Sequence, residues 1–169
     1  MSIELMSQIF SDFGKNIGIT IDVDSDGYCC LGIDDKSLIH FKFNEHFNGL
    51  IYFTELGDMP NFGKKEIFRH YAIKNGQESS STYTFSFDHE TNQLGMAYLL
   101  PQAMMNIENF EDTLKEFIEY ANKEMEQLAR FVQGEKPEDN IQYETEDLND
   151  SAGANDMLPS SFDMSKFGA

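Results

Sequence analysis

The sequence predicts an α+β fold, an antiparallel sheet with three helices in the order α-β-β-β-α-β-β-α, followed by an acidic tail. Three observations carry that expectation. Apolar residues recur at three- and four-residue spacing near the start and again between Ile107 and Val132. Between those stretches, short alternating runs rich in aromatic and β-branched residues are separated by Asp-Gly and Asn-Gly turns. After Gly134 both periods vanish.

The first helix is read from Ile3, Met6, Ile9, Phe10, Phe13 and Ile17, one stripe that ends near Gly14 or Gly18. A turn at Asp24-Ser25-Asp26-Gly27 leads into a strand Tyr28 to Ile33, with Ile19 to Val23 as a possible short partner across that turn. Strands Leu38 to Phe43 and Leu50 to Glu55 follow, joined at Asn48-Gly49, a pair suited to the positive φ of a type I′ turn. Gly63 to Lys74 forms a second helix with Ile67, Phe68 and Tyr71 on one side and Lys64, Lys65, Arg69 and Lys74 elsewhere; Asn75-Gly76 is expected to cap it in the left-handed conformation. Gln77 to Ser81 reads as a linker. Tyr83, Phe85 and Phe87 alternate with polar residues, and Gln93 to Leu100 is the hairpin partner, stopped by Pro101. Ile107, Phe110, Leu114, Phe117, Ile118, Ala121, Met125, Leu128, Ala129 and Val132 mark a long third helix, capped by Asn106 or Asn109 and closed by Gly134 and Pro137. Its outer side offers the pairs Glu111–Lys115 and Glu119–Lys123.

A two-residue loop at Asn48-Gly49 would set Phe47 opposite Leu50, Glu45 opposite Tyr52 and Lys42 opposite Glu55. One face then carries Ile39, Phe41, Phe43, Phe47, Leu50 and Tyr52, and is assigned to the core. The other carries Leu38, His40, Lys42, His46, Ile51 and Phe53, a mixed set assigned to a partner; the competing reading has the protein's own helices cover both faces.

Composition bounds the function. Of 169 residues, 30 are Asp or Glu against 12 Lys or Arg, a formal charge of −18 at pH 7. A field of that sign disfavours nucleic acid and anionic membrane surfaces. Nine acidic residues and two lysines from Glu135 onward leave −11 on the first 134 residues, so the acidity is not a tail property alone. That last segment cannot bury enough apolar surface to order itself and is expected to be disordered, dividing the chain into a domain 1–134 and a tail 135–169. Met157-Leu158-Pro159 with Phe162, Met164 and Phe167 reads as an unconstrained terminus or a short docking peptide. Cys29 and Cys30 are adjacent in a strand, so their sulfurs diverge; both are read as small buried apolar residues in a reducing compartment. Met1 to Leu5 lacks the basic start and apolar run of a signal peptide, which predicts a cytosolic protein without membrane insertion.

Chemical motifs are few. Asp22, Asp24, Asp26 and Gly27 match the opening of a helix-loop-helix calcium loop, but its twelfth position is Ile33 instead of a bidentate Glu, so the plain hairpin turn is preferred. His40, His46, His70 and His89 are scattered without ligand spacing, and no metal or cofactor is expected. Neither a nucleophile elbow nor a phosphate-cradling glycine loop occurs, so no catalytic residue is assigned and no enzymatic activity is expected.

The order of elements in a small acidic chain resembles the class I chaperones of bacterial type III secretion, the Tir-chaperone (CesT-like) family. The residues that carry the resemblance are the first-helix stripe ending in Phe13-Gly14 and Ile17-Gly18-Ile19, Asp26-Gly27-Tyr28-Cys29 running into Leu31-Gly32-Ile33-Asp34, and the strand Leu50 to Phe53 running into Leu56-Gly57-Asp58-Met59-Pro60. The acidic tail lies outside it. The resemblance implies a cytoplasmic bacterial homodimer, independent of ATP and active in virulence, that holds the N-terminal chaperone-binding segment of secreted effectors extended and secretion-competent. Components of the secretion apparatus are further implied partners. It places effector contacts at Ile9 and Phe13 of helix one and at Leu38, His40, Ile51 and Phe53 of the sheet. It places the dimer contact at Ile67, Phe68, Tyr71, Tyr83, Phe85 and Phe87. An acidic cytosolic adaptor or regulatory inhibitor unrelated to secretion would share composition and fold, and is the alternative.

Overall fold

The computed structural model describes residues 2–33, 37–76 and 83–137, all within the unit Met1–Pro137. The linker read at 77–81, Asp34 of the first-strand motif and the tail from residue 138 lie outside the described residues. Element order is α1 (Ser2–Ile17), β1 (Tyr28–Ile33), β2 (Ser37–Asn44), β3 (Gly49–Asp58), α2 (Lys64–Gly76), β4 (Tyr83–Asp88), β5 (Gln93–Pro101), a 3₁₀ turn (Gln102–Met104) and α3 (Ile107–Val132). The strands form one antiparallel sheet in the order β1-β2-β3-β5-β4. The α+β class and the order of elements are as the sequence predicts.

Local chemistry accounts for most boundaries. α1 runs through Gly14 and stops at Gly18, whose φ of +77° is open to glycine at little steric cost. α3 begins at Asn106, whose side-chain oxygen accepts a hydrogen bond from the Asn109 backbone N–H at 2.8 Å. In the turn before β1, the Asp24 carboxylate accepts hydrogen bonds from the backbone N–H groups of Asp26 and Tyr28, each at 2.9 Å, so it closes a hairpin-like loop on itself.

Several expectations are corrected. Ile19 to Val23 does not become a strand, because the chain leaves β1 after one backbone hydrogen bond, Asp24 N–H to Tyr28 C=O, and runs beside α1. Asn75 and Gly76 belong to the last turn of α2 and not to a left-handed cap. Instead the Asn75 side chain reaches β4, donating to Phe85 C=O and accepting from Phe85 N–H, both at 2.8 Å. It thereby occupies the outer edge of an edge strand. Neither outer pair on α3 is an ion pair among the described residues; Glu111 instead accepts from the Asn16 side-chain nitrogen at 3.0 Å.

The β2–β3 connection is also longer than expected. Residues Glu45 to Asn48 make a four-residue turn, with the Asn44 side chain accepting from Phe47 N–H at 3.0 Å and Asn48 taking a φ of +47°. Asn44 therefore pairs with Gly49, Lys42 with Ile51, and Phe43 with Leu50. Lys42 does not meet Glu55, and its ammonium donates to the Asp26 C=O at 2.6 Å. The slip against the expected register is an even number of residues, so it leaves each strand's two faces as assigned. The exceptions are Phe47 and His46, which lie in the turn: Phe47 is 59 % exposed and not in the core, and His46 is not on the outer strand face.

The core lies between one sheet face and the helices α1 and α3. Ile39, Phe41, Phe43, Leu50, Tyr52, Leu94, Met96 and Leu100 are buried there with Met6, Ile9 and Phe10 of α1 and Phe110, Leu114 and Phe117 of α3. Phe41 lies 5.0 Å from both Phe10 and Tyr52, and Phe10 lies 4.8 Å from Phe110, all edge to face. Tyr52 donates its hydroxyl to Thr113 Oγ1 at 3.0 Å, since that oxygen's own proton goes to the Asn109 C=O at 2.6 Å. Thr54, also buried on this face, donates its hydroxyl to the Leu38 C=O at 3.0 Å, so both of these buried hydroxyls are satisfied.

α2 is held by charge as well as by Ile67 and Tyr71. Lys74 places its ammonium 2.6 and 2.7 Å from the two oxygens of Glu124, which is buried on α3, and over the rings of Tyr71 and Phe85. His70 adjoins this pair; burial, and then the Lys74 charge, hold its pKa below the ordinary 6.5. Protonation of His70 therefore favours the unfolded chain, and the stabilisation is complete above the unfolded value and lost as pH falls through the depressed folded one. The urea midpoint is expected to decline on acidification below pH 6.5, with a shallower decline in His70→Leu. An unchanged slope in that variant would remove His70 from the account.

Candidate functional site

In an antiparallel pair, residues directly opposite each other present their side chains to the same face. The register therefore defines the face turned away from α1 and α3 as a series of rungs. Tyr28, Lys42, Ile51 and Leu99 form one; Cys30, His40, Phe53, Ala97 and Thr84 form the next. Glu55, Gly95 and Ser86 follow, then Asp58, Gln93 and Asp88. Gly95 alone among these residues is buried; the others are exposed or half-buried. Leu38, paired with Gly32, belongs to the same face at 47 % exposure, and Leu99 is 37 % exposed.

The centre of this face is apolar and locally ordered. A Cβ built on Gly95 would stand 2.6 Å from Phe53 Cε2, so the Phe53 ring reaches the neighbouring strand in space that only glycine leaves open. Tyr28 OH is 2.8 Å from His40 Nδ1, and the His40 ring lies 6.0 Å from that of Phe53. At the end of the sheet, Gln102 N–H donates to Asn48 C=O at 2.9 Å, bringing the 3₁₀ turn to the β2–β3 turn. There Phe47 and Met104 add exposed apolar surface.

The sequence-predicted residues divide by location. Leu38, His40, Ile51 and Phe53 are brought together on the uncovered face. Ile9 is 4 % exposed inside the core, and Phe13 is half-buried with its ring 5.2 Å from Phe110. Beside α1 an open groove of about 400 Å³ is lined by Ser7, Ser11, Lys15, Ile19, Ile21 and Val23. Ile67, Tyr71 and Phe85 are consumed in packing within the subunit, where Tyr71 lies 4.8 Å from Phe85. Phe68 stays 37 % exposed beside half-buried Phe87, and half-buried Tyr83 stacks on Tyr120 at 4.5 Å. Leu99 and Met104 were missed by sequence reasoning. The alternation of Ala97 and Leu99 with Met96, Tyr98 and Leu100 was the signal that could have found Leu99.

Cys29 points inward, its thiol pushed up to about 12 by burial; Cys30 is exposed on the outer face, which corrects the expectation that both are buried. No group of three or more His, Cys, Asp or Glu among the described residues is arranged to hold a metal ion. No described helix is long and apolar enough to cross a membrane.

Comparison with known proteins shows the family. The profile of the Tir chaperone protein (CesT) family matches residues 8–124. The chain belongs to that family. No curated protein sequence matches it significantly. Among solved structures, it is similar to a chain in the ExsC–ExsE complex, with a TM-score of 0.68 and 20 % identity over 75 % of this chain and 95 % of the other. The HopA1–SchA chaperone–effector complex follows at TM-score 0.62 and 12 % identity, over 75 % and 97 %. The Yersinia pestis type III secretion chaperone SycH, solved with a fragment of YscM2, gives TM-score 0.56 and 13 % identity over 70 % and 98 %. At these identities the likeness speaks for the CesT fold, whose three helices and five strands this chain shares.

The contrast between the two sheet faces can be measured. Phe41→Ala is expected to cost about 3–5 kcal/mol in urea unfolding, while Leu38→Asp changes stability by about 0.5 kcal/mol or less. Comparable losses at both positions would mean that the outer face is covered in solution.

Proposed function

We propose that this CesT-family chain is a type III secretion chaperone that holds an extended segment of a secreted effector, its client, against the uncovered sheet face. The observation that carries this reading is the pair of apolar rungs around Ile51, Phe53 and Leu99, left open by three helices that pack elsewhere. A sheet face of this kind gives alternate side chains of an extended peptide apolar anchors, as extended-peptide recognition requires. The high negative charge keeps such a surface soluble in the absence of the client. Its role is binding without chemistry, and its place is the bacterial cytoplasm, where effectors wait for export. Leu38, His40, Ile51 and Phe53 are retained as client contacts, joined by Leu99. Ile9 is not carried forward, because it is consumed in the core.

The test is co-expression with the N-terminal segments of effectors encoded by the same organism. Phe53→Asp is expected to abolish co-purification while leaving the far-UV spectrum and melting temperature close to wild type. Retained capture by a folded Phe53→Asp protein would move the client elsewhere.

The protein acts as a homodimer in this reading, with the contact at α2 and the helix-side residues of β4 that stay partly exposed. Phe68 and Phe87, 4.8 Å apart, are the aromatic candidates there, and Tyr83 lies farther along the same strand. Phe68→Glu is expected to halve the mass seen by light scattering, and a mass equal to wild type would reject that contact.

A further inference from the structure

We infer that the uncovered face takes an extended peptide that is apolar at alternate positions and cationic at the end lying over the rung Asp58–Gln93–Asp88. This deepens the proposed function and rests on its assignment of the client to that face.

The face is not uniform along its strands. Its apolar rungs, Ile51–Leu99 and Phe53–Ala97, give way to Glu55 and then to Asp58 and Asp88, which flank Gln93 in register. Three carboxylates thus share the outward side over two successive rungs, and all three residues are exposed. Among the described residues none of them is in an ion pair. Lys42, the cation on this face among the described residues, sits two rungs from Glu55 with its ammonium on the Asp26 C=O at 2.6 Å. Lys64, near the β4–β5 turn, is held on Asn92 Oδ1 at 2.7 Å. With its amide turned so that nitrogen faces the carboxylate, Gln93 donates to both Glu55 oxygens at 3.1 and 3.2 Å, but a neutral donor leaves the charge in place. Turn N–H groups of Glu90 and Thr91 donate to Asp88, so it stays ionised.

Spacing converts this gradient into a demand on the ligand. Same-side residues along a strand recur at roughly 7 Å, and an extended peptide repeats its own side chains at the same interval. A peptide aligned with the strands therefore sets successive same-side residues over Ile51–Leu99, over Phe53–Ala97, and then over the carboxylates. An apolar residue at that last position would desolvate carboxylates without a partner, and an acidic one would be repelled. Lys or Arg pairs with them. The charge of −18 on the whole chain steers the same cationic segment toward the protein.

The experiment uses the full chain and two dye-labelled synthetic peptides alternating Leu and Ser, one ending in Lys-Ser-Lys and the other in Glu-Ser-Glu, followed by fluorescence anisotropy. The Lys peptide is expected to bind about tenfold tighter at low ionic strength, with the advantage shrinking as salt is added. That advantage is expected to vanish in Glu55→Gln/Asp58→Asn/Asp88→Asn and to survive in Asp112→Asn/Glu119→Gln/Glu126→Gln, which removes equal charge from exposed positions of α3. Equal affinity for the two peptides, or equal loss in both triple variants, overturns the inference, the latter by assigning the effect to overall charge. If neither peptide binds although effector capture depends on Phe53, the cationic inference alone falls; if capture is also indifferent to Phe53, the proposed function falls with it.

Discussion

The aromatic contact of Phe41 and Tyr52 with Phe10, Phe110 and Phe117 is the constraint from which the rest of the structure follows. These rings, all essentially inaccessible to solvent, join β2 and β3 to α1 and α3 on one side of the sheet. The pleat then leaves no freedom. If Phe41 and Tyr52 point inward, His40, Lys42, Ile51 and Phe53 must point outward. Both long helices are committed to the inner face, and α2 is anchored to α3 through Lys74–Glu124 and to β4 through Asn75. No described helix is left to cover the second face.

Leaving a sheet face open carries two hazards, solvent-exposed apolar surface and unpaired edges, and the fold limits each differently. Phe53 lies against the backbone at Gly95, which removes part of its ring from water without a covering helix. Polar and charged residues surround it, with Tyr28 hydrogen-bonded to His40 on one side and the carboxylates of Glu55, Asp58 and Asp88 toward one end. The apolar centre is thus bounded by charge, as interaction surfaces tend to be. At the β4 edge, Asn75 engages both backbone groups of Phe85, so another strand would have to displace a bidentate side chain to pair there. The surface that remains is directional, apolar in the middle and anionic at one end.

Element type and face were legible because each rests on local periodicity. The stripe from Ile107 to Val132 could form only a long amphipathic helix, and the alternation in Tyr83, Phe85 and Phe87 only a half-buried strand. Phe41 and Phe53 were separated correctly even though the hairpin was drawn too tight. The four-residue turn moved the register by an even step, and the side-chain period of two is blind to such a step. Pairing partners had no such protection, so Lys42 was given Glu55 when its neighbour is Ile51. The same limit explains Ile9 and Phe13. They lie on a helix stripe whose period says that it is covered, but not by what.

By itself the sequence determined the order of helices and strands, which residues alternate together, and the sign of the charge, since each is set by neighbours along the chain. Only the tertiary structure decided that both long helices share one side of the sheet, that Asn75 guards β4, and that Asp58 and Asp88 flank a common rung. Those relations join residues of different elements, 10 positions apart for Asn75 and Phe85 and 30 for Asp58 and Asp88, or come from the choice of which face the helices cover. They are fixed by the joint packing of several elements at once, a competition that no local stretch of sequence records.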